Sequence, residues 1–67
     1  MAAKPLFVPP VHRALRNGVY DALREALIAG SLRPGQRINE AEISRQMQIS
    51  RAPIREAIRQ LEQEGLI

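Results

Sequence analysis

Three arginines, Arg51, Arg55 and Arg59, recur at four-residue intervals near the end of this 67-residue chain. On an α-helix that spacing sets them along one side. A guanidinium is a planar fork of donors that can bond the O6 and N7 of guanine together or grip a phosphate. The stretch turns acidic further on, at Glu62 and Glu64, so only its N-terminal half suits a polyanion. Ser50, just ahead of the arginines, carries a hydroxyl fit for capping a helix or bonding phosphate, and a helix N-terminus attracts phosphate by itself. Ala52 is small enough to permit close approach, and its methyl can touch that of thymine. The candidate DNA-contacting residues are therefore Ser50, Arg51, Ala52, Arg55 and Arg59. The same spacing also describes a plain solvated face, with Arg59 paired to Glu56 or Glu62.

Other chemistries are poorly supplied. There is no cysteine, hence no disulfide, thiolate metal site or thiol nucleophile, and His12 is the only histidine. The glutamates fall on solvated helix faces. We read the chain as a non-enzyme with no catalytic residue, no metal site and no cofactor.

Three amphipathic segments must position the arginines. Leu15, Val19, Leu23 and Leu27 repeat every four residues, with Ala22 and Ala26 widening the stripe. This predicts a helix over 12–29, with Gly30 as its left-handed stop and Leu32-Arg33-Pro34-Gly35 as a tight turn. Gly18 inside it costs about 1 kcal/mol relative to alanine. Gln36-Arg37-Ile38 is long enough only for a three-residue strand that needs a partner. Asn39 followed by Glu42 reads as a capping box that starts a short helix over 40–47, with Ile43 and Met47 on its buried side. After Gln48-Ile49-Ser50 comes a third helix over 51–64, with Ser50 as N-cap and Pro53 in the first turn. Its core face is Ile54, Ala57, Ile58 and Leu61, and Gly65 ends it with Leu66 folding back on Leu61. The expected core is Leu23, Leu27, Ile43, Met47, Ile54, Ile58 and Leu61.

Only Phe7 and Tyr20 are aromatic, so the core is aliphatic, as in packed helices. The fold class expected is all-α, a three-helix helix-turn-helix bundle over 12–67, preceded by a flexible, proline-rich arm over 1–11. The arm is too short and too rich in proline for a signal peptide or membrane span, which suggests a cytoplasmic protein that does not engage a membrane. The formal charge of +3 favours an anionic partner. Two short helices joined by about three residues, the second basic at its start, form the arrangement in which one helix braces another in the major groove. Double-stranded DNA is thus one expected partner. The alternative is a small interaction domain whose basic face docks on an acidic protein.

The run from Val19 to Gly35, VYDALREALIAGSLRPG, resembles the first helix and turn of GntR-family regulators. The run INEAEISRQMQISRAPIREAIRQLEQEGLI, from Ile38 to Ile67, is similar to that family's helix-turn-helix, above all in its last eighteen residues. The likeness covers about residues 15–67 and is strongest to the FadR-like subfamily. It implies a winged helix in the intact domain, a homodimer in the full-length protein, and a C-terminal domain for a small-molecule effector. On this reading the wing begins just beyond Ile67. Arg51 and Arg55 match the family's base- and phosphate-contacting arginines, with Ser50 and Ala52 beside them. Two positions depart from the pattern: Glu40-Ala41-Glu42 lacks a basic residue found there in some members, and Gln48 replaces a usual glycine.

Overall fold

The structure, a computed structural model, describes residues 6, 7 and 9–67. It contains three helices: α1 over Pro10–Ala29, α2 over Glu40–Met47 and α3 over Arg51–Gln63. No strand occurs among the described residues, so the three-residue strand expected at Gln36-Arg37-Ile38 does not form. Residues 1–5 and 8 of the expected arm lie outside the described residues, while Leu6 and Phe7 are exposed. The first helix begins at Pro10 rather than His12. Proline suits that place because its φ is already helical and its missing N–H would have no partner in a first turn.

The remaining boundaries follow from local chemistry. Gly30, at φ 80°, stops α1 in the left-handed region. Gln36 N–H then bonds the Arg33 carbonyl at 3.0 Å, closing a turn with Pro34 and Gly35 at its centre. Asn39 Oδ1 accepts from the Glu42 N–H at 3.1 Å, so half of the expected capping box is present. Glu42 does not reach back to Asn39; its carboxylate instead meets Arg45 and Gln46 one turn on. At the end of α3, Gly65 N–H bonds Glu62 O and Leu66 N–H bonds Leu61 O, each at 3.0 Å, the two bonds of a Schellman cap.

Helix α3 is the centre of the fold: α1 packs on it and α2 packs on it, with no packing of α1 on α2. Val19 and Leu23 of α1 meet Ile54, Ala57 and Leu61 of α3 in the core, with Pro53 buried at its edge. Tyr20, Leu32, Ile43, Ile49, Ile58 and Ile67 pack around it, each partly buried. Four members of the expected core differ. Leu27 is only partly buried and lies outside the core cluster, and Ile43 packs on the core but is only partly buried. Met47 is 38% exposed because α2 is covered by α3 alone and has no fully buried residue. Ile58 is only partly buried, since the buried arc of α3 is shifted towards Pro53 and Ile58 sits beside an open groove.

Polar ties across α1 and α3 reinforce the packing. His12 Nε2 lies 2.6 Å from Glu56 Oε2, so this histidine is part of the bundle rather than a neighbour of an arm. Eight residues on, the Tyr20 hydroxyl donates to Glu64 Oε1. That bond holds the phenol pKa above its ordinary 10.0, with desolvation a smaller cause. The proton is therefore bound more tightly in the folded chain. Its stabilisation is present in full below pH 10.0 and disappears as pH rises through the folded-state value. The melting temperature should thus fall more steeply above about pH 10 than that of Tyr20→Phe. Parallel pH profiles for the two proteins would contradict this.

Candidate nucleic-acid interface

The turn that joins α2 to α3 decides where the arginines stand. Gln48 adopts φ 58°, ψ 42°, the left-handed conformation expected where glycine is usual. A side chain there costs about 1 kcal/mol, so Gln48→Gly should raise stability by about that amount in a thermal melt. A lower melting temperature would argue against strain at this residue. The turn is held in spite of that cost. Ile49 packs against the core, its N–H bonds Ser44 O at 3.2 Å, and its carbonyl accepts from the Ser44 hydroxyl.

Ser50 is the N-cap of α3 by position, but its side chain makes no cap hydrogen bond. The hydroxyl and the first-turn N–H groups are both left for another acceptor or donor to use. Ser50, Arg51 and Ala52 are exposed at this end, and Arg55 and Arg59 are exposed further along, away from the buried arc. Among the described residues, Arg45–Glu42 and Arg55–Glu40 are the ion pairs, and His12 is hydrogen-bonded to Glu56. None involves Arg51 or Arg59, so neither expected pairing of Arg59 with Glu56 or Glu62 forms. Arg55 is held through its Nε by Glu40 Oε1 at 3.3 Å.

Spacing alone does not single out Arg37. It lies in the chain leading to α2, and lines a shallow groove with Ile38, Glu40, Ala41 and Arg51. A second groove brings Arg37 alongside Arg55 and Arg59. An arginine outside any helix has no period to mark it; only the turn at Pro34-Gly35 brings it here. No group of three His, Asp or Glu side chains able to hold a metal occurs among the described residues. Nor is any described helix long and apolar enough to cross a membrane.

A short helix packed on a second, with the second presenting an arginine-bearing N-terminal end, defines a helix-turn-helix domain. Residues 15–67 match the bacterial regulatory proteins of the gntR family, and the chain belongs to that family of DNA-binding transcription regulators. It is 44% identical over 48 residues to an uncharacterised HTH-type transcriptional regulator, YdhC, of Bacillus subtilis strain 168, covering 72% of this chain and 21% of that protein. It is 51% identical over 35 residues to the Nta operon transcriptional regulator of Aminobacter aminovorans, covering 52% and 17%. An uncharacterised HTH-type regulator from an unstable DNA locus of Streptomyces ambofaciens is 38% identical over 55 residues, covering 82% and 23%. The chain thus spans about a fifth of the length of these curated relatives. No solved structure matches it.

Proposed function

We propose that this chain is the operator-reading part of a ligand-responsive, cytoplasmic regulator of the FadR-like type, acting as a homodimer. Support comes first from the N-terminal end of α3. Its cap hydroxyl is unused, its first-turn N–H groups are open, and Arg51 has no carboxylate partner among the described residues. An end built this way attracts phosphate by its dipole and its charge together. In this reading Ser50 and the first-turn N–H groups take phosphate. Arg51 and Arg55 reach base edges, Ala52 allows the approach, and Arg59 stays on the backbone.

The wing, the dimer contacts and the effector pocket belong in this proposal to the remainder of a longer protein. The relatives' greater length and the family's pattern support that arrangement. Its two-fold symmetry calls for an operator with two related half-sites.

Binding of the full-length dimer to a duplex selected from a random pool, and to an unrelated duplex, tests the reading. Affinity should fall steeply with salt on both, and the selected duplex should bind at least about a thousandfold more tightly. Equal affinity for all duplexes would leave only a basic face suited to any acidic partner.

A further inference from the structure

We propose that Glu40 is a positioning residue for Arg55 that raises sequence discrimination by opposing phosphate binding at this spot. The inference rests on the DNA-reading function proposed above. The two residues come from different helices, fifteen positions apart, and meet only because α2 packs on α3.

Glu40 bonds Arg55 through Nε, at 3.3 Å, and so occupies the side of the guanidinium nearest the aliphatic stem. The two terminal nitrogens have no hydrogen-bond partner among the described residues, and the Arg55 side chain is 58% exposed. An arginine held at Nε can offer only its end, Nη1 and Nη2, to a base or phosphate. That fixes one of the two forks by which it could approach guanine and removes many of its rotamers. Glu40 itself is the more covered partner, its side chain 30% exposed, so it is the better anchored of the two.

The carboxylate has a second effect. Glu40 lines both grooves that carry the arginines, beside Arg37 and Arg51 in one and beside Arg37, Arg55, Arg59 and a second acidic residue, Glu62, in the other. A negative charge there cancels part of the field that would draw DNA phosphates without regard to sequence. Selectivity is a difference of affinities, and an element that weakens the wrong complex raises it. A guanine edge presents neutral acceptors with partial charges only, so a carboxylate repels it far less than it repels a phosphate.

The test measures Glu40→Ala and Glu40→Gln in the full-length dimer against the selected duplex and an unrelated one, over a range of salt. Glu40→Ala should bind the unrelated duplex about tenfold more tightly, with a salt slope steeper by about one per protomer. Its preference at the base pair contacted by Arg55 should fall about fivefold or more. Glu40→Gln keeps an acceptor for Nε without the charge. It should show the steeper salt slope while keeping most of the base preference. In an Arg55→Ala background, Glu40→Ala should leave base preference unchanged.

A damaged fold would instead weaken both duplexes together, and that result in both variants would overturn the proposal. So would an unchanged salt slope and an unchanged ratio in variants that melt normally. If the unmodified dimer shows no gap between the duplexes, the DNA-reading function itself fails and this inference with it. A gap that neither variant narrows removes the inference alone.

Discussion

Ile54→Ala should cost about 2–5 kcal/mol and leave the domain largely unfolded at room temperature. Ile54 is 0% exposed and lies where Val19 and Leu23 of α1 meet Ala57 and Leu61 of α3. Truncation removes three carbons and leaves a cavity that the helices cannot close without separating from one another. A chain of this length buries only about 60% of its unfolded surface, so it has little stability to spare. Ile58→Ala is the matched comparison. Its side chain borders an open groove, where solvent fills part of the space left behind, and its cost should fall below that of Ile54→Ala. Circular dichroism melts of the two variants check this. An Ile54→Ala melt close to the parent's, or a larger loss from Ile58→Ala, would mean that α3 presents a different face to α1.

Arg51→Ala should weaken operator binding by about 1–3 kcal/mol in the full-length dimer, about five- to 150-fold. Arg51 has no ion-pair partner among the described residues, so its guanidinium can engage DNA without first breaking a bond within the domain. If it reads a guanine, the loss should be confined to duplexes carrying the preferred base and preference should relax there. If it meets only phosphate, all duplexes should weaken together and the salt slope should fall by about one. Arg55→Ala belongs to the same range, since the bond to Glu40 uses Nε and leaves Nη1 and Nη2 for the base edge. Arg59, a turn further back, should show the phosphate signature or no effect. Folded Arg51→Ala and Arg55→Ala dimers that bind operator as tightly as the parent would remove these residues from the interface.

Local patterns made the helices and their ends readable. The four-residue repeat of Leu15, Val19, Leu23 and Leu27, the Asn39 cap, Pro53 in a first turn and the Gly65 stop each act within one or two turns of chain. Interactions of such short range are fully specified by neighbouring residues, and the structure bears them out. Gln48 is marked instead by the family resemblance, which places a glycine there, and its φ of 58° is the left-handed conformation that such a glycine would adopt.

What periodicity could not supply was the depth of burial and the choice of partner. Met47 and Ile58 satisfy the apolar pattern as well as Leu23 does, yet α2 has one neighbour and α3 turns its buried arc towards Pro53. Burial depends on which surfaces meet, a property of the packed bundle. The polar pairs show the same limit. From spacing, Arg59 had Glu56 and Glu62 within reach on its own helix, but Glu56 pairs with His12 and the bond to an arginine runs from Arg55 to Glu40. By itself, then, the sequence determined the helix-turn-helix class, the helix ends other than the start of α1, and the basic tip of α3, because these depend on residues close in the chain. Only the tertiary structure decided that Arg51 has no ion-pair partner among the described residues, that Arg55 is held and that Arg37 joins them. Those depend on groups brought together from helices and turns up to fifteen or more residues apart.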